Sequence, residues 1–184
     1  PFDEEAVDIL ESLDAPAFKI ASFELVDLPL IKYVASKGKP ILISTGMGTL
    51  EEIEEAVNTC IDAGNNKILL FHCISSYPSS SKESNVKVIP YLRNKFKLEI
   101  GLSDHTNDIK IPAYGTVLGA QIIEKHYKIN EDMSCVDQSV SITEEQMKKL
   151  VLDIRFIEEA LGKEKKDLVP NEKNTIKYRR NNIL

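Results

Sequence analysis

The sequence contains no tryptophan, only three cysteines and no apolar run long enough to cross a membrane. The cysteines are odd in number and none forms a Cys-x-x-Cys pair, which disfavours a disulfide framework or a zinc knuckle and fits a reducing compartment. Cys73 and Cys135 are expected to be small buried packing residues rather than nucleophiles. No secretory leader pattern is visible. We therefore expect a cytoplasmic protein that does not insert into a membrane.

The sequence also has an excess of negative charge. Lys and Arg number 23 against 29 Asp and Glu, which gives a formal net charge of −6. No basic run occurs before the C-terminal tail, and this pattern disfavours a nucleic acid or an anionic membrane surface as the partner. A local pocket can still be positive, so a small anionic substrate is compatible with the composition.

Short apolar runs rich in β-branched residues alternate with amphipathic stretches, which is typical of βα units and a mainly parallel sheet. The length of 184 residues and a hydrophobic content of 42% suit one globular domain. Thr49 with Glu52, and Thr143 with Gln146, have the spacing of helix capping boxes. Five strands are predicted, at 17–22, 40–45, 67–75, 98–105 and 120–127, with helices at the N-terminus and at 28–36, 49–64, 85–95, 111–118 and 143–162.

Polar and titratable residues follow nearly every predicted strand, and this feature separates two architectures. An open dinucleotide-binding or P-loop sheet would carry G-x-G-x-x-G or G-x-x-x-x-G-K-[ST] after its first strand, and neither motif occurs. Catalytic groups from many successive strands converge only if the sheet curls closed, as in a barrel whose chemistry lies at the C-terminal ends of its strands. The pattern therefore favours part of an α/β barrel.

Two of the three histidines, His105 and His126, end successive predicted strands and are the first candidates for a metal-binding pair. A neutral imidazole is a common metal ligand near pH 7. His72 instead lies inside an apolar strand and is predicted to be a hydrogen-bonded core residue. Lys19 lies between two apolar residues of a buried strand, where a lysine is unfavourable unless it meets an anion. The sequence thus predicts an anionic ligand near Lys19.

Six segments of the chain carry a distinctive set of motifs: KIASFE (19–24), ISTGM (43–47), HCISSYP (72–78), GLSDHT (101–106), LGAQIIEKHY (118–127) and VDQSVSI (136–142). In order and spacing they resemble the sialic acid synthase family, and the resemblance extends over nearly the whole chain. Within the family, the run 22–40 is most similar to the pseudaminic acid synthases, with N-acetylneuraminate and legionaminate synthases as neighbouring possibilities. The resemblance implies a TIM-type (β/α)8 barrel that condenses phosphoenolpyruvate with an N-acetylated amino sugar to give a nine-carbon nonulosonic acid and phosphate.

The resemblance also implies roles for individual residues. His105 and His126 would bind a divalent metal ion, Mn²⁺ or Mg²⁺, and take part in catalysis by letting that ion polarise the sugar aldehyde. Glu24 would act as an acid or base near the same carbonyl. The implied contacts to phosphoenolpyruvate come from Lys19, Ser22, Ser44, Ser75 and Ser103, and those to the amino sugar from Glu24, Tyr77 and Asp137.

The family architecture, as the resemblance implies it, is only partly covered. Residues 1–163 correspond to the barrel from after its third strand to its last helix, which means strands four to eight. Residues 164–184 are charged and poor in apolar residues, and we expect a linker toward the family's C-terminal antifreeze-like domain. Because five strands cannot close an eight-stranded barrel, the isolated chain is expected to be inactive or weak, and a homodimer is implied for the full-length protein.

Two alternatives to a nonulosonic acid synthase remain open from the sequence. One is another phosphoenolpyruvate-dependent barrel synthase or aldolase, which would turn over a three-carbon or pentose-phosphate acceptor. The other is a truncated, non-catalytic relative that binds sugar or stabilises a partner. Failure to bind metal despite the presence of His105 and His126 would favour this second alternative.

Overall fold

A five-stranded parallel sheet organises the chain. The computed structural model describes residues 1–180, in which the strands pair in the sequential order β1-β2-β3-β4-β5, every neighbouring pair being parallel. The five predicted strands are confirmed, although the observed strands are shorter. Their bounds are Phe18–Ile20 (β1), Ile41–Ser44 (β2), Ile68–Cys73 (β3), Glu99–Asp104 (β4) and Ile123–Lys125 (β5).

The strand order identifies the sheet as part of a barrel. In a doubly wound sheet the order reverses at a switch point, whereas here each strand pairs with the next one along the chain. A flat sheet of five strands would hold its two edges about 19 Å apart. Lys19 on β1 and Glu124 on β5 nevertheless form an ion pair, with Nζ and Oε1 3.5 Å apart. The sheet is therefore curled, and the prediction of an incomplete TIM-type (β/α)8 barrel is confirmed.

Helices cover the outside of this curled sheet, and two of them begin at the predicted capping boxes. The amide of Glu52 donates to Thr49 Oγ1 at 3.2 Å, and the amide of Thr49 donates to the Glu52 carboxylate at 2.7 Å. Thr143 and Gln146 form the same reciprocal pair. The helices are Glu4–Ser12 (α1), Leu28–Ser36 (α2), Leu50–Asp62 (α3), Val88–Phe96 (α4), Lys110–Val117 (α5) and Glu144–Leu161 (α6).

The two faces of the sheet differ in chemistry because side chains alternate along each strand. The outward set, which includes Ile20, Ile43 and Leu70, packs against the helices in one buried core. The set on the concave inner face includes Lys19 and Ser44, which are polar. The main apolar core therefore lies between sheet and helices, whereas the inner face combines these polar side chains with apolar ones such as Phe71.

The segment that follows α6 is exposed along almost its whole length. Between residues 163 and 180 the structure shows two short 3-10 turns, Pro170–Glu172 and Ile176–Tyr178. Residues 181–184, the end of the predicted linker, lie outside the described residues. The linker role and the antifreeze-like domain beyond it stay predictions. Within residues 1–180, none of the helices combines the length and apolarity needed to span a bilayer.

We expect Ile43→Ala to lower the free energy of unfolding by about 2 to 5 kcal/mol, because it removes buried methyl groups and leaves a cavity between sheet and helices. Ile43 is fully buried in the core, whereas Leu152 on α6 is 69% exposed. Leu152→Ala is the matched control and should change stability by no more than about 0.5 kcal/mol. Urea unfolding followed by circular dichroism measures both. Equal losses in the two variants would contradict the location of the core.

Candidate active site

Lys19 brings a positive charge to the inner face of the sheet. Its ammonium donates to Ser44 Oγ at 2.6 Å and lies 5.3 Å from the centroid of the Phe71 ring. Glu124 approaches the same ammonium from β5. The Lys19 side chain is still 32% exposed, and two of its three contacts, to Glu124 Oε1 and to the Ile20 carbonyl oxygen, are long at 3.5 Å. Lys19 can therefore accept a further anionic partner while Ser44 holds it in place.

Next to Ser44, four residues surround a small space that we call the serine cradle: Ser22, Gly46, Cys73 and Ser75. The amide of Gly46 donates to Ser22 Oγ at 3.1 Å, and Ser22 Oγ lies 3.0 Å from Cys73 Sγ. A methyl group added to Gly46 would collide with the side chains of the other three residues, so all of them face this glycine. The serine hydroxyls are oriented donors of the kind that bind phosphate or carboxylate oxygens.

Two buried polar atoms in this region have no hydrogen-bond partner within residues 1–180: Ser75 Oγ and Glu24 Oε2. Glu24 ends the short 3-10 turn Ser22–Glu24, which also places Ser22 in the serine cradle. A buried polar atom that lacks a partner is unfavourable by about 1–3 kcal/mol. Such an atom needs an explanation, for example a bound ligand or water that supplies the hydrogen bond, or a functional role. Ser75 Oγ therefore leaves an unused hydroxyl in the serine cradle, and Glu24 Oε2 is a second unpartnered atom on the turn that carries Ser22.

Three aromatic rings cluster where β4 and β5 end. The ring centroids of His105 and His126 are 5.3 Å apart, and the Tyr77 ring lies 4.2 Å from the former and 5.7 Å from the latter. His105 Nδ1 lies 2.7 Å from the carbonyl oxygen of Ile74. Because a carbonyl can only accept, Nδ1 carries the proton and Nε2 of a neutral ring keeps its lone pair. That lone pair is available to a metal ion.

Asp137 reaches the histidine cluster by a turn of the chain after β5. Tyr127 and Ile142 form an isolated parallel bridge, which folds the intervening segment back over the strand ends. Asp137 Oδ2 then lies 3.5 Å from His126 Nδ1. A carboxylate beside the second nitrogen of an imidazole typically orients the ring of a metal-binding histidine. Asp137 is therefore close to the predicted metal-binding pair.

Burial is the main influence on the titration of His105 and Tyr77. It lowers the pKa of His105, the nearby His126 acting in the same direction, whereas the bond to the Ile74 carbonyl opposes the shift. A lowered pKa keeps the imidazole neutral near pH 7, which is the form that binds metals. Burial also raises the pKa of Tyr77, assisted by Cys73, Asp137 and Glu124. The Tyr77 hydroxyl thus stays protonated and can donate a hydrogen bond.

The donor set suits an ion that keeps several water or substrate oxygens. Within residues 1–180, no group of three or more His, Cys, Asp or Glu side chains is arranged to hold a metal, so the protein offers the imidazoles of His105 and His126 as a pair. A structural zinc site needs four protein ligands. Mg²⁺ and Mn²⁺ favour oxygen donors and usually retain waters, which an open pair of imidazoles permits.

Of the remaining residues predicted from the sequence, Ser103 and Cys73 lie in or beside the serine cradle, whereas His72 lies in the core. Ser103 is buried on β4 in register with Cys73, beside the serine cradle. His72 is buried, and its Nε2 donates to the Ser84 carbonyl at 2.8 Å, which confirms the prediction of a hydrogen-bonded core histidine. Cys73 is buried as expected, but it lies in the serine cradle. Cys135 is only partly buried, so the buried position predicted for it is wrong, whereas its packing role stays a prediction.

Comparison with known proteins decides the family. The model of the NeuB family matches residues 1–166 of this chain. The chain belongs to the NeuB family. An N,N'-diacetyllegionaminic acid synthase of Campylobacter jejuni is 39% identical over 186 residues, which cover 100% of this chain and 56% of that relative. A pseudaminic acid synthase of Helicobacter pylori is 39% identical over 170 residues, with 92% and 50% covered.

A solved NeuB-type structure agrees with the fold described above. The crystal structure of an N-acetylneuraminic acid (sialic acid) synthetase from Leptospira borgpetersenii superposes with a TM-score of 0.91 at 32% sequence identity. The match covers 97% of this chain and 62% of that one. The chain spans about half the length of the curated relatives it matches. Nearly the whole of this NeuB chain therefore has the fold of a part of that synthetase.

Two residues that contact this candidate site, Glu124 and Gly46, were not predicted from the sequence. Glu124 was overlooked although it lies two residues before His126, and alternation along a strand puts residues two apart on one face. Gly46 supplies its amide to the serine cradle, and a glycine in a loop gives no direct sign of such a role. Glu124 could therefore have been predicted from the two-residue periodicity of the strand, because His126 was already a candidate for the site.

We expect the stability of the chain to fall as the pH drops below about 6.5, the ordinary pKa of histidine. Burial lowers the pKa of His72 in the folded state, so the unfolded chain binds the proton first. The contribution of neutral His72 to the free energy of unfolding is fully present above about pH 6.5. It decreases as the pH falls from there to the pKa of His72 in the folded state, by at most about 1.4 kcal/mol per pH unit for one proton. Urea unfolding at pH 7.5 and pH 5.5 measures the loss.

The control for this pH dependence is His72→Gln, because glutamine can donate to the Ser84 carbonyl but does not titrate. The variant should lose less stability between the two pH values than the unaltered chain. An identical pH dependence in both proteins would show that His72 does not contribute to it.

Proposed function

We propose that this chain carries the substrate-binding end of a nonulosonic acid synthase. The enzyme would condense phosphoenolpyruvate with an N-acetylated amino sugar to give a nine-carbon acid and phosphate. The observation that carries the proposal is the meeting, at one end of the curled sheet, of an anion-binding region and a pair of histidines. Membership of the NeuB family supports it, since relatives in that family are named as synthases of such acids.

Phosphoenolpyruvate would bind at Lys19, Ser44 and the serine cradle. Its phosphate and carboxylate together carry several negative charges, and the Lys19 ammonium is held beside this space by Ser44 at 2.6 Å. The hydroxyls of Ser22 and Ser75 can donate to the same oxygens, and Ser75 Oγ has no partner within residues 1–180. Bonds between charged and neutral partners of this kind are stronger than neutral ones. Ser103, in register with Cys73, would complete this set of donors.

The amino sugar would lie between this anion site and the histidines. Tyr77 packs on His105 and can donate a hydrogen bond to a sugar oxygen. Asp137, beside His126, can accept one from a sugar hydroxyl. Glu24 Oε2 is buried without a partner within residues 1–180, which supports assigning to its carboxyl group the transfer of a proton at the carbonyl oxygen. These three groups differ in chemistry, which suits recognition of a polyhydroxylated acceptor.

His105 and His126 would hold a divalent ion, Mn²⁺ or Mg²⁺. When bound, the ion would supply a Lewis acid for the aldehyde of the open-chain sugar. The fold contributes the arrangement of the ligands, since the Ile74 carbonyl fixes the His105 ring and Asp137 lies beside the His126 ring. Neutral histidines need lose no proton to bind the ion.

The chemistry then follows from the positions of the two substrates. The enol carbon of phosphoenolpyruvate forms a bond to the aldehyde carbon, and the aldehyde oxygen takes up a proton, for which Glu24 is the candidate donor. Water adds at C2 of the former phosphoenolpyruvate, and phosphate leaves. Lys19 and the serine cradle stay on the phosphate oxygens while charge develops there, which is where fixed donors stabilise a transition state most.

For the acceptor, we propose a diacetamido sugar of the kind that leads to pseudaminic acid. The sequence run 22–40 favours this choice. The legionaminic acid synthase relative is matched along this whole chain at the same 39% identity, so the isomeric sugar that leads to legionaminic acid is the second candidate. N-acetylmannosamine is the third acceptor to be compared.

We expect Mn²⁺-dependent consumption of phosphoenolpyruvate, with a nine-carbon acid detected by mass spectrometry from one of these three acceptors. The assay is run on the 184-residue chain and on the C. jejuni relative with this chain substituted for its matching segment. Turnover of a three-carbon or pentose-phosphate acceptor instead would favour another class of synthase. No condensation in either protein would refute the proposal.

In whichever of these two proteins is active, His105→Ala or His126→Ala should lower metal-dependent turnover at least about a hundredfold. The reason is that several kcal/mol of Lewis-acid stabilisation of the transition state disappear. His72→Gln is the matched control, since His72 is a buried histidine outside the site. Retention of near-normal turnover in either alanine variant would defeat the metal assignment.

Gly46→Ala should weaken the binding of phosphoenolpyruvate at least about tenfold, which corresponds to about 1.4 kcal/mol. The added methyl group would lie 2.7 Å from Ser22 Oγ and 2.9 Å from Cys73 Sγ, and would fill the serine cradle. Titration calorimetry measures the affinity. The control is Ser76→Ala, whose hydroxyl is exposed and donates to the Pro78 carbonyl. Equal affinity in Gly46→Ala and the unaltered chain would place the anion elsewhere.

A further inference from the structure

A buried ion pair lies directly behind the two histidines. Lys125 Nζ and Asp104 Oδ2 are 2.7 Å apart, and the two side chains are only 1% and 3% exposed. The other ion pairs within residues 1–180 each include at least one side chain that is more than 30% exposed. No step of the proposed reaction uses this pair, so its burial needs another explanation.

Strand register explains the location of the pair. Asp104 on β4 is aligned with Lys125 on β5, and Ser103 is aligned with Glu124. Because successive side chains point to opposite faces, Asp104 and Lys125 lie on the outer face, whereas the residues that follow them, His105 and His126, turn to the inner face. Each histidine is therefore joined by one peptide bond to a member of the ion pair.

Thr106 extends the pair to the other side of His105. Its hydroxyl donates to Asp104 Oδ2 at 2.8 Å, and its amide lies 3.2 Å from Asp104 Oδ1. The Lys125 ammonium also donates to the Thr106 carbonyl. The backbone on both sides of His105 is thus tied to the residue that precedes His126. We call Asp104, Thr106 and Lys125 the backing cluster.

Stability alone does not account for the backing cluster. Moving a carboxylate and an ammonium out of water costs several kcal/mol per ion, and well-packed apolar residues often replace a buried pair without loss of stability. A hydrogen-bonded network has a property that apolar packing lacks, since its distances and directions are fixed. The network here spans the gap between the ends of β4 and β5, where the two imidazoles must be held at a set spacing.

We propose that the backing cluster positions His105 and His126 for a shared divalent ion and so sets the affinity of the site for that ion. Asp104, Thr106 and Lys125 are positioning residues, because they act through the histidines and touch no substrate. The proposal rests on the proposed function for the identity of the metal ligands. Supporting groups behind metal ligands typically account for 10- to 100-fold in metal affinity.

The test compares Mn²⁺ affinity with stability on the 184-residue chain. Free Mn²⁺ is measured by electron paramagnetic resonance, and thermal unfolding is followed without metal. Lys125→Met should raise the Kd for Mn²⁺ at least about tenfold, and Lys125→Arg should restore part of the affinity because arginine keeps donors for Asp104 and the Thr106 carbonyl. Wild-type affinity in a folded Lys125→Met variant would overturn the proposal.

A second variant guards against simple unfolding. Lys125→Met leaves the Asp104 carboxylate buried without a positive charge beside it. The double variant Asp104→Leu with Lys125→Met instead replaces both charged side chains by apolar ones. The double variant should unfold near the wild-type temperature and still bind Mn²⁺ at least about tenfold more weakly. A stable double variant with unchanged affinity would overturn the proposal.

Two controls separate this proposal from the metal assignment. Lys37→Met removes the ion pairs of Lys37 with Asp8 and Glu11, far from the site in sequence, and should leave the Kd for Mn²⁺ unchanged. His105→Ala should abolish tight binding. If His105→Ala keeps wild-type affinity, the metal assignment fails and the present proposal fails with it. If His105→Ala loses the ion but the double variant does not, only the positioning role is refuted.

Discussion

The alternation of side chains across a curled parallel sheet is the constraint on which the rest of this structure depends. It sends one set of residues outward, where Ile20, Ile43 and Leu70 form the core with the helices. The other set faces the barrel axis, where polar groups from five strands can meet. Curvature makes the meeting possible, as the contact between Lys19 and Glu124 across the sheet shows. Core and site are thus two faces of the same strands.

Chain order divides the site into two chemical halves. In the proposed site, the first three strands and the turns after them supply most of the anion-binding groups, with Lys19 and Ser44 beside the serine cradle, and Ser103 on β4 adds one more. The last two strands supply the imidazoles, His105 and His126. Tyr77, in the turn after β3, packs on both rings and so stands between the halves. A reaction that joins an anionic substrate to a carbonyl group needs both halves within reach of each other.

Much of the fold was accessible from the sequence, because its signals are local. Capping boxes at Thr49 and Thr143, apolar strand cores and polar strand ends each follow from a few neighbouring residues. The role of Asp104 and Lys125 was not accessible, since it depends on the register of β4 against β5. The same holds for Cys73, whose neighbour Ser22 is 51 residues away. Short-range patterns thus predict the elements, and long-range register decides their partners.

The hydrogen bond between His105 Nδ1 and the Ile74 carbonyl orients the ring by means of the main chain. The acceptor belongs to the main chain, so no replacement of the isoleucine side chain can remove it. Any variant that keeps β3 and β4 in this register has the same carbonyl beside Nδ1, and so favours the same tautomer of the imidazole. The hydrogen bond that orients the ring therefore does not depend on the chemistry of the side chain at position 74.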